Sequence, residues 1–399
     1  MFIVCEPISL GMEHVPFNTA LLKTIRLAFP EADVEFYAED AHSNFVREQI
    51  GEQVATTIGW HHIVPPARHS GFFSRLSFDF KTIQHLLEKM VDHSGEDVLV
   101  VTGNSSILWA LKYYTARLHR NKKVQVVLHG NFSTLKRIPR REMLNPLYYV
   151  GCLKTALKLP GYQRLQHIVL EESVRNAVLE CMPFLRKSLY VFDHPVPVDE
   201  GCDLDDKSKM SLNTPIQFGY LGRATEKKGF SKYLDVASEI TKQFPGQANF
   251  HFIGRVSEKF RKKNISKMAF LSELPGESRL SRSDFVDRLK SLHYICLFYD
   301  HYYEYCASGV LMDSIAWEKP IIASRLMMFQ DLEQKFGDIG YLCNNNEIAE
   351  AIGGIILAKD FERYNGQIMN IRKIKMIRIP EALSSKYSVL VKTLKHNFS

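Results

Sequence analysis

The sequence predicts an α/β fold in which parallel strands alternate with helices, and in which this arrangement occurs twice. Short runs of β-branched and aromatic residues alternate with longer amphipathic segments through the first half of the chain. The alternation stops in a polar stretch and restarts near residue 216. Such alternation is typical of βαβ units, so each half is expected to form a Rossmann-like domain.

The first half carries strand patterns separated by helical patterns, and we expect it to form one domain over residues 1–198. The strand patterns are residues 2–5, 34–38, 97–102, 124–129, 167–171 and 189–193. Residues 17–29 and 73–91 show the apolar spacing of amphipathic helices.

The second half repeats the pattern after residues 199–213, whose polar and charged composition predicts a linker. A second domain is expected over residues 214–375, and residues 376–399 are expected to form a C-terminal helix that could cross back to the first domain. Its strand patterns are residues 216–221, 249–254, 268–272, 293–299 and 320–324, with helical patterns at 230–244 and near 282–292.

Composition and charge narrow the function classes. The chain is 45% hydrophobic and 24% charged, as globular proteins are, and its net charge is +7. This excess suits anionic ligands or an acidic membrane surface, and no nucleic-acid-binding motif accompanies it. The cysteines form no CxxC pair, and no apolar stretch approaches the ~20 residues of a membrane span, so we expect a cytoplasmic protein with reduced thiols.

The loop after the first strand of the second half, GRATEKKGF (222–230), combines glycines with two cations. A glycine-containing turn from strand to helix lets backbone N–H groups approach an anion. Arg223 offers a planar pair of donors and Lys228 a compact charge, which together suit a diphosphate. The alternative is a solvated basic turn.

The stretch SGVLMD (308–313) predicts a helix start that could bind an anion. If Ser308 caps the helix, Gly309 and Val310 present free N–H groups at the positive end of the helix dipole. Asp313 lies one turn later and would repel a phosphate, but it could accept hydrogen bonds from the hydroxyls of a ribose. Alternatively, Ser308 is a plain cap and Asp313 a favourable charge near the helix N-terminus.

Together the two motifs resemble the nucleotide-sugar-binding half of GT-B glycosyltransferases, particularly family 4-like members. The resembling segments are GR-x4-KG at 222–229 and SGV-x2-D followed by EKPIIAS at 308–324. The resemblance covers roughly residues 215–345 in its motifs and the first half in architecture. It implies two Rossmann-like domains that face a central cleft.

The resemblance also implies roles for individual residues. The donor diphosphate would be bound by Gly222, Arg223, Lys228, Ser308, Gly309 and Val310, the ribose by Asp313, and the base near Gly254 and Arg255. The donor would be a UDP- or GDP-linked sugar, with neither metal nor other cofactor.

Three positions depart from the family's pattern. The second Glu of its E-x7-E segment falls on Asp313, but the first, which contacts the donor sugar, falls on Tyr305. Tyr305 is therefore a candidate for contacting the donor sugar or the acceptor. The neighbouring Glu304 could take over that role and is therefore a catalytic candidate. Glu318 stands where the family usually has Gly.

In the first half, four residues are candidates for contacts with the donor sugar or the acceptor. Glu6, His14 and Asn18 flank the loop between the first strand and the first helix, where the alternative is a simple cap and turn. His129 ends a predicted strand and could bind the sugar or act as a base. A reaction that retains the anomeric configuration, as in family 4, needs no strong base; an inverting one would need His129, Glu6 or His14.

Three further segments have the composition of a membrane contact or of a metal site. Residues 133–166 are basic and could contact an anionic membrane, or could simply be an exposed helix and loop. The DLD sequence at 203–205 lies in the predicted linker, and the histidines of WHHIVPPARH (60–69) lack metal-ligand spacing, so neither predicts a metal site.

The sequence therefore predicts a glycosyltransferase that acts on a glycan or lipid-linked acceptor in bacterial surface polysaccharide synthesis. The expected location is the cytoplasm, including the inner face of the plasma membrane. Two alternatives remain open: an epimerase of GT-B architecture, and a non-catalytic nucleotide-sugar-binding protein.

Overall fold

The computed structural model of the protein describes residues 1–67, 70–115, 122–130, 132–135, 151–159, 165–199, 212, 215–273 and 280–393. The chain divides into two compact units. Unit 1 comprises Met1–Asp199, Tyr305–Ala307 and Arg378–Ser399. Unit 2 comprises Glu200–Glu304 and Ser308–Ile377.

Unit 1 contains a parallel sheet whose described strands have the order β3-β2-β1-β4-β5-β6-β7. The strands are β1 (Phe2–Glu6), β2 (Val34–Ala38), β3 (Ile58–His62), β4 (Asp97–Thr102), β5 (Lys122–Val127), β6 (Leu165–Val169) and β7 (Leu189–Val191). Central strands such as β1 and β4 are buried along their whole length, which explains their continuous apolar sequence.

Helices cover both faces of this sheet. They are α1 (Val15–Ala28), α2 (Asp40–Ile50), α3 (Glu52–Ala55), α4 (Phe72–Asp92), α5 (Ser105–Tyr114), α6 (Leu153–Lys158), α7 (Glu172–Cys181) and α15 (Pro380–Lys392), with 3-10 turns at Phe132–Leu135 and Pro183–Lys187. The last helix, α15, packs on α1 through Leu383 and Tyr387. Just before it, both terminal nitrogens of Arg378 bind the Glu171 carboxylate at 2.7 Å.

Unit 2 contains a smaller parallel sheet whose described strands have the order β12-β11-β10-β8-β9. The strands are β8 (Ile216–Arg223), β9 (Ala248–Arg255), β10 (Tyr294–Leu297), β11 (Ile321–Ser324) and β12 (Gly340–Cys343). The helices are α8 (Phe230–Gln243), α9 (Glu258–Met268), α10 (Arg282–Lys290), α11 (Gly309–Ala316), α12 (Met327–Phe336), α13 (Ile348–Ala358) and α14 (Phe361–Arg378), with 3-10 turns at Glu226–Lys228 and His301–Tyr305. Because β8, β9 and β10 are parallel neighbours, the loops that follow them meet at one edge of the sheet.

The strands predicted at 34–38 and 97–102 are confirmed with the same limits. The strand predicted at 268–272 is wrong, because Met268 ends α9 and a turn follows. A short apolar run does not distinguish a buried strand from a buried helix end, and Met268 and Leu271 are indeed buried. The pattern also missed β3 and β12, which are edge strands of their sheets.

Among the helices of the described residues, none combines the length and the apolar character that crossing a bilayer requires.

Candidate functional site

The end of β8 and the loop after it, residues 222–229, form a tight glycine turn at the carboxyl edge of the unit 2 sheet. Gly222 and Gly229 have φ values of 86° and 71°, which L side chains rarely adopt. A Cβ on Gly229 would lie 1.9 Å from the Phe298 carbonyl oxygen, so only glycine fits against the end of β10. Within the turn, the Thr225 hydroxyl accepts a hydrogen bond from the Lys228 N–H at 3.3 Å.

Lys228 and Arg223 place two cations at this edge, and no carboxylate of the described residues binds either. The Lys228 Nζ lies 3.6 Å from where a Cβ on Gly222 would stand, and the Val310 Cγ2 lies 3.4 Å from the same point. Among the described residues, neither cation has a hydrogen-bond or ion-pair partner, and Arg223 is exposed. Burial lowers the pKa of Lys228 and nearby Arg223 lowers it further, although the Asp313 charge acts in the opposite direction.

The start of α11 faces open space beside these cations. Ser308 has extended backbone geometry, and its hydroxyl accepts a hydrogen bond from the Leu311 N–H at 3.2 Å, as a helix cap does. A Cβ added to Gly309 would meet no atom within 4 Å, and Gly309 is exposed. The N–H groups of Gly309 and Val310 therefore begin a helix with room for a ligand in front of it.

Asp313 lies inside α11 and binds a residue that sequence reasoning missed. Its Oδ1 accepts a hydrogen bond from Arg282 Nη2 at 2.7 Å, and Asp313 as a whole is 9% exposed. Arg282 is the first residue of α10, 31 positions before Asp313. No local spacing links the two residues, so only the folded chain reveals this pair.

The predicted base-pocket residues lie at the end of β9. A Cβ on Gly254 would stand 1.8 Å from the Gly222 carbonyl oxygen, so this glycine allows β8 and β9 to approach closely. The Arg255 carbonyl accepts a hydrogen bond from the Ala224 N–H at 3.0 Å. Both residues thus border the glycine turn that carries Arg223 and Lys228. Their contact with a base stays a prediction.

The predicted sugar contacts in the 3-10 turn before α11 differ in exposure. The Glu304 side chain is 35% exposed, and its Oε1 lies 3.3 Å from His301 Nδ1. Tyr305 is only 5% exposed and packs in the core cluster of unit 1. This burial argues against Tyr305 as a sugar or acceptor contact and leaves Glu304 as the accessible candidate of the two.

Glu6 and Asn18 hold the loop between β1 and α1 rather than facing solvent. The buried Glu6 carboxylate accepts hydrogen bonds from the N–H groups of Ile8 and Ser9 at 3.1 and 3.0 Å and from the Asn18 amide at 3.3 Å. The Asn18 Nδ2 also lies 2.9 Å from His42 Nε2. Burial alone would raise the pKa of Glu6, but the hydrogen bond and charge of His14 lower it well below its usual range. These contacts argue against both residues as ligand contacts and against Glu6 as a base.

His14 and His129 form a stacked pair with ring centroids 4.5 Å apart. The His14 side chain is 41% exposed, and its Nδ1 lies 3.7 Å from Glu6 Oε2. Burial opposes protonation of His14, but Glu6 outweighs it and raises the pKa of His14. Burial lowers the pKa of His129 well below the usual value, and the charge of His14 adds to this, so His129 is a neutral ring.

Solved glycosyltransferase structures match nearly the whole chain. The E. coli trehalose-6-phosphate structure bound with UDP-2-fluoro glucose has a TM-score of 0.67 and 11% identity and covers 99% of each chain. Anabaena Alr3699/HepE in complex with UDP and glucose has a TM-score of 0.65 and 14% identity and covers 98% of this chain and 100% of that one. WaaG, a glycosyltransferase involved in lipopolysaccharide biosynthesis, has a TM-score of 0.67 and 8% identity and covers 98% of this chain and 99% of that one.

The chain has the GT-B fold. No protein-family model and no curated protein matches the sequence. The fold-level resemblance recognised from residues 215–345 is therefore confirmed by GT-B structures, while the roles of individual site residues in this GT-B chain stay predictions.

Several sequence-based interpretations fall outside the residues that the structure describes. These are the DLD sequence at 203–205, the linker 199–213 apart from Asp199 and Leu212, most of the basic segment 133–166, and His69. Within the described ranges, no three or more His, Cys, Asp or Glu side chains are arranged so that they could hold a metal ion.

Proposed function

We propose that this protein is a glycosyltransferase that transfers a sugar from a nucleotide-diphosphate sugar to a glycan or lipid-linked acceptor. The observation that carries the proposal is the cation site at the carboxyl edge of the unit 2 sheet. There Arg223 and Lys228 lie at the glycine turn and have no anionic partner in the described residues. The Val310 side chain approaches the same turn, and Gly309 beside it begins a helix with open space in front of it.

The charges of this site match a diphosphate. A partly buried ammonium without a partner is unfavourable, as the lowered pKa of Lys228, caused first by burial, indicates. A bound diphosphate would supply the missing anion, and Arg223 could grip it with two parallel hydrogen bonds. As the sugar leaves, negative charge develops on the diphosphate, and fixed cations and helix N–H groups stabilise it without a metal or other cofactor.

The ribose and the base of the donor nucleotide would bind at the same edge of the unit 2 sheet. Asp313 would accept hydrogen bonds from the ribose hydroxyls, and Gly254 and Arg255 would border the base. A UDP-linked donor has support from solved neighbours bound to UDP-2-fluoro glucose or to UDP and glucose, and a GDP-linked donor is the second choice.

The acceptor side of the proposal rests on two histidines of unit 1 and on Glu304. Exposed His14, whose pKa Glu6 raises, and neutral His129 are the unit 1 groups that could contact the transferred sugar or the acceptor, with Glu304 as a further catalytic candidate. We propose that the protein works in the cytoplasm on bacterial surface polysaccharide, with the basic segment 133–166 touching the anionic inner membrane. The neighbour involved in lipopolysaccharide biosynthesis supports this direction.

Nucleotide binding followed by transfer tests the proposal. Calorimetric titration of the purified protein with UDP and GDP should reveal binding to at least one, and Arg223→Ala and Lys228→Ala should each weaken it at least tenfold. Lys227→Ala is the matched control, since this lysine lies in the same loop but packs over the Tyr302 ring, 3.6 Å from its centroid.

Activity assays then separate the remaining functions. A panel of nucleotide sugars with a membrane lipid extract should show acceptor-dependent sugar transfer. Donor turnover to an epimeric sugar without acceptor would replace the proposal by an epimerase, and binding without any turnover would indicate a non-catalytic protein. If neither UDP nor GDP binds, the site assignment is wrong.

A further inference from the structure

The Ser308 hydroxyl at the start of α11 has two neighbours that use its oxygen. The Leu311 N–H donates a hydrogen bond to Ser308 Oγ at 3.2 Å, and the Tyr299 hydroxyl lies 2.8 Å from the same atom. Ser308 and Tyr299 are each only 3% exposed, so solvent does not compete for these bonds.

The proton of Tyr299 decides the direction of the second hydrogen bond. Burial raises the pKa of Tyr299, so the hydroxyl keeps its proton. In the part of the chain that the structure describes, Ser308 Oγ is the only hydrogen-bond partner of this hydroxyl. A phenol is a stronger hydrogen-bond donor and a weaker acceptor than an aliphatic hydroxyl, so Tyr299 donates and Ser308 accepts.

With both incoming bonds accepted, the proton of Ser308 itself remains available. A serine hydroxyl has one donor and two acceptor positions, and here both acceptor positions are filled. The next residue, Gly309, is exposed and has open space around it. The side chains of Val310 and Lys228 both lie close to Gly222, at the same point of the glycine turn.

We infer that Ser308 donates this hydroxyl proton to the donor diphosphate and that Tyr299 is a positioning residue that fixes its direction. The inference rests on the proposed function and adds a side-chain donor to the backbone N–H groups of the helix start. A hydroxyl aimed in advance forms a charge-assisted hydrogen bond without first giving up another partner.

Titrations with UDP, inorganic pyrophosphate and uridine test the role of Ser308. Ser308→Gly removes the hydroxyl while glycine still serves as a helix cap. We expect its dissociation constants for UDP and pyrophosphate to rise about tenfold, the effect of one hydrogen bond to a charged group, with uridine unaffected. Equal losses for all three probes would indicate a collapsed helix start and would overturn the inference.

Tyr299→Phe tests the direction of the hydrogen bond. If Tyr299 donates, its loss leaves Ser308 unoriented, and UDP and pyrophosphate should bind about threefold or more weakly. If Ser308 instead donates to Tyr299, the variant frees the serine proton, and affinity should stay the same or rise, which would overturn the inference. Tyr233→Phe is the control, because its buried hydroxyl lies in the core, 3.1 and 2.7 Å from the Phe218 and His251 carbonyl oxygens.

The same titrations separate this inference from the proposed function. If the unaltered protein binds UDP and Lys228→Ala weakens it, but Ser308→Gly and Tyr299→Phe bind normally, the inference is wrong and the diphosphate site stands. If the unaltered protein binds neither UDP, GDP nor pyrophosphate, both are wrong.

Discussion

Arg372 donates two hydrogen bonds to the carboxylate of Glu318: its Nε and Nη2 lie 2.9 and 2.5 Å from Glu318 Oε2. The Lys375 Nζ lies 3.4 Å from the other oxygen. Glu318 has a φ of 52°, a left-handed conformation that favours glycine. The family 4-like motif that this stretch resembles usually has glycine at this position. Here a residue with a side chain adopts the left-handed conformation, and its carboxylate forms an ion pair with α14.

Replacing Glu318 should separate the ion pair from the backbone strain. Glu318→Ala loses the ion pair but keeps a Cβ in the left-handed region, and we expect about 2 kcal/mol less free energy of unfolding. Glu318→Gly loses the same pair without the strain and should be about 1 kcal/mol more stable than the alanine variant. Denaturant unfolding measures both free energies. Lys373→Ala is the control, because Lys373 is exposed on α14, the helix that also carries Arg372 and Lys375. Equal stability of the two variants would show that φ at this position carries no strain.

Removing Asp313 should change the preference between a nucleotide and a bare diphosphate. Asp313→Ala removes the proposed ribose acceptor and also a negative charge beside Lys228, so UDP should lose affinity relative to pyrophosphate, by about tenfold for one or two lost hydrogen bonds. Calorimetric titration with both probes gives the ratio directly. Asp287→Ala, on α10 with a side chain that is 72% exposed, removes the same charge elsewhere and should leave the ratio unchanged. An unchanged ratio in Asp313→Ala would reduce Asp313 to a structural partner of Arg282.

Diphosphate binding should weaken at alkaline pH earlier than an ordinary lysine would imply. Burial lowers the pKa of Lys228 below 10.5, and the lysine binds an anion only when protonated, so affinity falls as pH rises through this lowered value. In Lys228→Arg the guanidinium stays charged, so the alkaline decline should be shallower. Pyrophosphate titrations from neutral pH to pH 10 would show this, and identical profiles of the two proteins would exclude Lys228 as the titrating group.

Unit 1 should lose stability in mild acid because it buries neutral histidines. Burial lowers the pKa of His167 to about 4 and that of His194 to about 3, whereas an unfolded histidine has a pKa of 6.5. Below pH 6.5 the unfolded chain therefore binds protons that the native chain does not, and stability falls toward pH 4 by about 1.4 kcal/mol per pH unit for each histidine.

The variant His167→Phe tests this acid dependence. The quantity compared is the slope of the free energy of unfolding against pH, and not the free energy itself. In the described structure neither ring nitrogen of His167 has a hydrogen-bond partner, so phenylalanine replaces the ring without breaking a bond. Free energies of unfolding measured between pH 6.5 and pH 4.5 should fall less steeply in the variant. The same slope in both proteins would mean that His167 already titrates normally in the native state.

Much of the fold and part of the site were predictable because they depend on short spacings. Arg223 ends β8, Lys228 lies in the loop after it, and Ser308 and Asp313 lie at the start of α11 and one turn into it, so a few neighbouring residues define each position. Contacts between distant segments were not predictable, as the pairing of Asp313 with Arg282 illustrates. The same limit applies to Tyr305, whose local sequence does not reveal that it packs in a core.

The buried pair of Arg378 and Glu171, together with the packing of α15 on α1, has a consequence for how the chain is made. Unit 1 is discontinuous, because its core needs residues that follow all of unit 2 in the sequence. During synthesis the N-terminal strands and α1 are therefore complete before α15 exists. The apolar side of α1 that α15 covers stays exposed until α15 has been synthesised. A fragment that stops at residue 199 would keep this surface exposed permanently.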